Sequence, residues 1–178
     1  RNAAKSVRCT LACSLVAIAL ERVATEARLA HQALHDSLTG LPNRSLLVDR
    51  LDHALERRNR TEAEIAVLFC DVDRFKVVND SLGHSVGDEL LVAFADRLLA
   101  AVDPGDTVAR FGGDEFVVLL ELLAESADEA LLAAGQVADK LLEQLGHPYR
   151  LDGLDRKCTA SLGLVIFNGH DSGADELM

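Results

Sequence analysis

The apolar positions of this chain change period several times, and each change marks an element. Cys9, Cys13, Val16, Leu20, Val23, Ala27, Ala30 and Leu34 recur at alternating spacings of four and three. That is an a/d heptad stripe, and with no Gly or Pro before Gly40 it predicts one helix over about residues 5–35. A parallel coiled coil joining two chains accounts for the stripe best. Leu11, Leu15, Ala17 and Ile18 make the upper half apolar nearly all round, which would also suit packing on an upstream domain. Gly40, Pro42 and Asn43 then break the pattern. From Arg44 to Arg58 the leucines Leu47, Leu51 and Leu55 share one helical face. Ile65 to Cys70 is a continuous apolar run of strand length, ending in Asp71-Val72-Asp73.

Arg74 to Ser85 is polar and reads as a loop. Leu91, Phe94, Ala95, Leu98 and Val102 resume helical spacing, with Ser85 as N-cap and Asp88 three residues on in the manner of a capping box. A turn at 103–106 leads to two short strands, 107–111 and 116–120, whose connection Gly112-Gly113-Asp114-Glu115 reads as a four-residue hairpin loop. Residues 126–145 form a further helix, Asp152-Gly153 a turn, and 158–167 alternate as a strand. The order α, β, α, β, β, α, β predicts an α+β fold, a mostly antiparallel central sheet flanked by helices. The organisation that follows is an N-terminal signalling or coiled-coil helix over 1–35 and one globular domain over 36–178.

Composition narrows the function. Hydrophobic residues make up 49% and charged residues 26% of the chain, with a mean hydropathy of +0.13, which are globular values. The net charge is −11 and the pI near 4.9, which opposes general binding to nucleic acid or to an anionic membrane. The charge is uneven: residues 1–35 carry five Lys/Arg against two Asp/Glu, and residues 36–178 carry 13 against 27. An acidic domain that binds an anionic ligand needs a divalent metal to do so. The apolar stretch Cys9–Leu20, bounded by Arg8 and Glu21, is too short to span a bilayer. Four scattered cysteines make no disulfide scaffold, and a reducing cytoplasm fits them best. The chain begins without Met and reads as a piece of a longer protein.

The candidate chemistry is carboxylate chemistry. Asp71 and Asp73 end one strand, and Asp114 and Glu115 sit at a hairpin tip that an antiparallel sheet can place alongside. Carboxylates brought together repel unless they share a cation. With no His or Cys beside them, these hard oxygen donors favour Mg²⁺, which completes its shell with substrate phosphates. Gly112 and Gly113 serve a turn and leave room for a ligand against the backbone. His31 and His35, four apart on one helix face, lack a third ligand, and His84 reads as structural.

Four ordered motifs then carry a resemblance. Arg110-Phe111-Gly112-Gly113-Asp114-Glu115-Phe116 contains the GGDEF signature of diguanylate cyclases. Residues 36–44, Asp-Ser-Leu-Thr-Gly-Leu-Pro-Asn-Arg, are similar to that family's opening motif. Asp71-Val72-Asp73-Arg74-Phe75-Lys76, and Asn79 to His84 with Gly87-Asp88, resemble its metal and nucleotide segments. The resemblance implies a fold like that of nucleotidyl cyclases and the polymerase palm. It implies condensation of two GTP to cyclic di-GMP with release of two pyrophosphates, each subunit of a homodimer holding one GTP. Carried onto this chain, it makes Asp71, Asp114 and Glu115 ligands of Mg²⁺, or of Mn²⁺ in its place, with the Val72 carbonyl assisting. Asp114 or Glu115 would deprotonate the 3′-hydroxyl, Lys76 and the backbone near Phe75 would hold phosphates, and Asn79 and Asp88 would read guanine.

Two departures accompany it. The product-inhibition motif Arg-x-x-Asp that many members carry here reads Asp103-Pro104-Gly105-Asp106, which predicts no feedback at this position. The chain also stops at Glu176-Leu177-Met178, before the family's following helix with a phosphate-contacting Lys and Arg, so the domain reads as truncated at its C-terminus. Two rival functions follow. One is a GTP-binding regulatory module of weak activity between an upstream GAF-type sensor and a downstream phosphodiesterase domain. The other is an acidic dimerisation scaffold, which leaves the four motifs unexplained.

Overall fold

The structure, a computed structural model, describes residues 18, 20–22, 24–26, 28–61, 64–122, 124 and 126–167. The chain divides into two compact units, Arg1–His35 and Asp36–Met178. In the first, the described residues up to Leu34 are helical. Cys9, Cys13, Val16, Val23 and Ala27 of the heptad stripe lie outside the described residues. Leu20 and Leu34, which belong to the stripe, are exposed, and the His31 and His35 rings stack at 3.8 Å.

The second unit runs α1 (Arg44–Thr61), β1 (Glu64–Val72), α2 (Phe75–Leu82), α3 (His84–Ala101), β2 (Thr107–Gly112), β3 (Glu115–Leu122), α4 (Ala127–Leu145), β4 (Tyr149–Leu151), β5 (Leu154–Arg156) and β6 (Ala160–Phe167). Four strands form one sheet in the order β2-β3-β1-β6, every pair antiparallel. β4 and β5 form a separate hairpin closed by Asp152 and Gly153, both at positive φ (47° and 73°) as its two-residue turn requires. The α+β fold read from the sequence is the one observed.

The first half of the central strand is apolar on both sides because both faces of the sheet are covered there. Ala66, Leu68, Cys70 and Val72 face α3 and α4, joining Leu90, Phe94, Leu98, Phe116, Val118 and Leu141 in the larger cluster. Ile65 and Val67 face α1, with Leu47, Leu51, Val117 and Leu119. Arg97 closes the loop after α4, donating to the carbonyls of Gln144 (3.1 Å), His147 and Pro148 while lying 3.6 Å from the Tyr149 ring.

Three expectations are corrected. Residues 74–85 are not a loop: Phe75–Leu82 is helix α2, which buries none of its residues fully. Ser85 does not cap the next helix. That helix already begins at His84, after Gly83 at φ 87°, and has no side-chain cap, so Asp88 completes no capping box. The hairpin loop is shorter than four residues, since Gly112 pairs with Glu115 across a register shift, leaving Gly113 and Asp114 as the turn.

Candidate active site

Strand alternation decides what emerges at the end of β1. Asp71 continues the face of Val67 and Phe69, and its direct partner on β3 is Glu115. On the other side its partner on β6 is Ser161. Asp114 stands in the adjoining turn, where its carbonyl accepts from Val72 N–H at 3.3 Å. Gly113, at φ 53°, takes the left-handed conformation that this tight turn demands.

Burial, then the neighbouring Asp114, Glu115 and Asp73, push the Asp71 carboxyl above the ordinary aspartate range. Asp73 is shifted the other way by hydroxyl donors from Thr159 and from Ser161 (2.7 Å). Among the described residues, no three His, Cys, Asp or Glu side chains already form a metal-binding group. The donor set nonetheless fits a hard divalent cation, because Asp71 and Glu115 face each other and the repulsion on Asp71 is the kind a cation relieves.

The other residues named from the sequence fall around this point. Lys76 is exposed on the first turn of α2, just after the turn that follows β1. Phe75 and Asn79, one helical turn apart, both lie against Gly87 of α3. A methyl group at Gly87 would overlap Asn79 Oδ1 and stand 3.3 Å from the Phe75 ring. Asn79 Oδ1 is buried there without a hydrogen-bond partner, and Asp88 follows Gly87 in an exposed position. Gly112 is exposed in the last position of β2.

Concave surfaces flank Asp71. One of about 470 Å³ lies on the α1 side, lined by Phe69, Asp71, Phe111, Glu115, Ser161 and Gly163 among others. Another of about 540 Å³ is walled by Asp71, Asp73, Arg74, Val77, Lys157 and Thr159 and so brings two cations beside the carboxylates.

Sequence reasoning missed one arrangement. Arg110 donates to Gly113 O from Nε (3.0 Å) and a terminal nitrogen (2.7 Å), and from its other terminal nitrogen to Asp36 at 2.9 Å. The same Asp36 oxygen accepts from Thr39 N–H (2.9 Å) and Thr39 Oγ1 (2.7 Å). Burial pushes the Asp36 carboxyl up, but the Thr39 and Arg110 bonds outweigh it and hold the group below its ordinary value. The opening motif is thereby tied to the turn that carries Asp114. Asp106, in place of the feedback motif, turns back to accept from Asp103 N–H at 3.0 Å.

Fold and site together define an α+β domain with an acidic strand end, suited to a cation, beside concave surfaces carrying arginine and lysine. Residues 33–178 match the family model described as diguanylate cyclase, GGDEF domain, and the chain belongs to that family. The diguanylate cyclase TpbB of Pseudomonas aeruginosa is 46% identical over 145 residues, covering 81% of this chain and 32% of that protein. The solved GGDEF domain of TpbB superposes with a TM-score of 0.69 at 44% identity, covering 76% of this chain and 77% of that one. The bifunctional diguanylate cyclase/cyclic di-GMP phosphodiesterase MucR of P. aeruginosa is 44% identical over 165 residues, 93% of this chain and 23% of MucR. The cyclic di-GMP phosphodiesterase PdeR of Escherichia coli K12 is 36% identical over 168 residues, 94% of this chain and 24% of PdeR. The chain thus spans about a quarter to a third of the length of these three curated relatives. Among the described residues, no helix is long and apolar enough to cross a membrane.

Proposed function

We propose that this domain is a diguanylate cyclase, joining two GTP into cyclic di-GMP and releasing two pyrophosphates. The observation that carries the reading is the direct cross-strand pairing of Asp71 with Glu115, with Asp114 in the adjoining turn. Asp71, Asp114 and Glu115, with the Val72 carbonyl, would hold Mg²⁺, or Mn²⁺ in its place. When bound, that ion supplies charge neutralisation for the triphosphate and for the developing pyrophosphate. Lys76 and the backbone at Phe75 hold phosphates at the start of α2, and Asn79 and Asp88 read the guanine edge. A carboxylate suits guanine because it accepts from N1–H and the 2-amino group together. The 3′-oxygen of one GTP attacks the α-phosphorus of the other, the bond to the β-phosphate oxygen breaks, and Asp114 or Glu115 takes the hydroxyl proton. Two such steps need two domains face to face, hence a homodimer. The exposed Leu20 and Leu34 of the heptad stripe are the natural seam between the two N-terminal helices over 1–35. The domain over 36–178 works in the cytoplasm, without feedback at Asp103–Asp106, whose acid is engaged within its own turn.

A second reading is a GTP-binding module of weak activity set between an upstream GAF-type sensor and a downstream phosphodiesterase domain. The likeness to PdeR, a phosphodiesterase by name, favours it. Incubating the full-length protein with GTP and Mg²⁺ separates the two. The cyclase reading expects cyclic di-GMP and pyrophosphate from wild type, and a loss of about a hundredfold or more in Asp71→Ala and Glu115→Ala, as losing a metal's several kcal/mol of charge stabilisation implies. GTP binding without product in wild type supports the module instead.

A further inference from the structure

Two aspartates stand two residues apart at the end of β1, and their surroundings are opposite. Asp73 is saturated. One carboxylate oxygen accepts from Thr159 Oγ1, the other from Ser161 Oγ at 2.7 Å, and its backbone N–H donates to Thr159 O at 3.0 Å. Cys158 Sγ lies 3.5 Å from the Asp73 carbonyl oxygen. These contacts come from Cys158, Thr159 and Ser161, the stretch that leads into β6. Asp71 receives no hydrogen bond on its carboxylate from the described residues, although Ser161 is its direct cross-strand partner. The Ser161 hydroxyl passes over Asp71 and serves Asp73 diagonally.

The geometry points to Asp73 as a positioning residue: through Thr159 and Ser161 it clamps the β1–α2 turn onto β6 and so fixes where the free carboxylate of Asp71 stands. The turn requires such a clamp. β1 ends at Val72 and α2 begins at Phe75, so the chain reverses within Asp73 and Arg74. Arg74 does this at φ 59°, a left-handed conformation that a non-glycine residue keeps only where its surroundings impose it. Among the described residues β6 pairs with β1 alone, and the two hydroxyl bonds tie the start of β6 to the site. Because the same turn launches Phe75 and Lys76, a slack clamp would displace the carboxylate and the start of α2 together. Both Asp73 oxygens are committed to the β6 side, whereas the Asp71 carboxylate accepts no hydrogen bond from the described residues.

The inference rests on the proposed role of Asp71 as a cation ligand, and its test reads the cation directly. Mn²⁺ binding in the presence of GTP is measured by electron paramagnetic resonance on the full-length protein. The set is wild type, Asp71→Asn, Asp73→Asn, the hydroxyl-free pair Thr159→Val/Ser161→Ala, and the hydroxyl-keeping pair Thr159→Ser/Ser161→Thr. Thermal unfolding is followed alongside. Outer groups that orient a metal ligand typically change affinity by tenfold or more, so the hydroxyl-free pair is expected to weaken Mn²⁺ by about tenfold. The hydroxyl-keeping pair is expected to stay within about twofold of wild type, which a purely volumetric role for these side chains would not produce. The Mg²⁺ concentration for half-maximal turnover rises in step.

Wild-type Mn²⁺ affinity in the hydroxyl-free pair, with Asp71→Asn impaired, would overturn the clamp and leave the cation site standing. Loss in Asp73→Asn equal to that in Asp71→Asn, with the hydroxyl-free pair unaffected, would make Asp73 a ligand and also overturn it. Unchanged affinity in Asp71→Asn would remove the cation site, and the inference with it. Should the double variant fail to fold, Ser161→Ala is read against Ser161→Thr by the same criteria.

Discussion

The two faces of the four-stranded sheet are covered very differently. The face under α3 and α4 is buried along β1 and β3, with Ala160, Leu162, Leu164 and Ile166 of β6 partly covered beside them. Leu68, Val72, Phe116 and Val118 are all fully buried, and Phe94 packs on Phe116 with ring centroids 5.0 Å apart. Among the described residues, the face under α1 is covered over β2, β3, the first half of β1 and Phe167 at the end of β6. Toward the end of β1 the described residues leave Phe69 and Phe111 partly exposed and Ser161 and Gly163 of β6 open, and Val165, opposite Val67, is open as well. Asp71 and Glu115 emerge on that incomplete face. One side of the sheet stabilises the domain, and the other stops short at the carboxylates, which would be prohibitively costly to bury unpaired.

The sharpest way to break this comparison is to truncate one residue on each face. Phe116→Ala should lose about 3–5 kcal/mol in urea unfolding, because the ring is fully buried and packs on Phe94. Val165→Ala, on the open strip, should change stability by less than about 0.5 kcal/mol. Equal losses would mean that the second face is as tightly covered as the first.

A smaller effect belongs to Gly113. Alanine there must hold φ 53°, which costs about 1 kcal/mol. Its effect on activity should be out of proportion, since the turn carries Asp114. Parallel urea and turnover measurements check this.

Asp36 gives a pH-dependent difference. Its folded-state carboxyl is held below the ordinary value, so its contribution is present above the unfolded pKa of about 3.9 and is lost as pH falls through the lower folded value. Asp36→Asn should therefore destabilise at neutral pH and converge with wild type on acidification, seen as thermal midpoints measured from pH 7 down to 3.

Asp71 has the opposite sign and the smallest effect. Its folded-state carboxyl is raised, so stability falls as pH rises from the ordinary aspartate value through the raised one. Metal-free Asp71→Asn should melt slightly higher than wild type at neutral pH, and Mg²⁺ with GTP should stabilise wild type but not the variant. A lower melting point in the metal-free variant would show that Asp71 is structural.

Much of this was legible in the residues. The unbroken apolar run of β1 announced a strand, and the signature at 110–116 located the hairpin. Helix α2 was not legible, for a physical reason. Phe-Lys-Val-Val-Asn-Asp-Ser-Leu is rich in β-branched residues and in Asn, Asp and Ser, which favour a helix weakly, and it buries no residue fully to give an apolar stripe. Ser85 looked like a cap because it precedes a helical pattern, but Gly83, free to take φ 87°, makes the break two residues earlier. The bond from Arg110 to Asp36 joins residues 74 apart, and no local pattern encodes it. The division of labour between Asp71 and Asp73 was equally hidden. Two acids in one strand end look alike until β6 is seen to supply hydroxyls to only one of them.

The most direct test is a crystal structure of the protein with Mg²⁺ and a GTP analogue whose α-phosphorus cannot be attacked. The account predicts a cation held between Asp71 and the Glu115 hairpin, its remaining coordination filled by phosphate oxygens, with Asp73 still bonded to Thr159 and Ser161. A nucleotide whose phosphates lie elsewhere, leaving Asp71 and Glu115 without a cation, would contradict it.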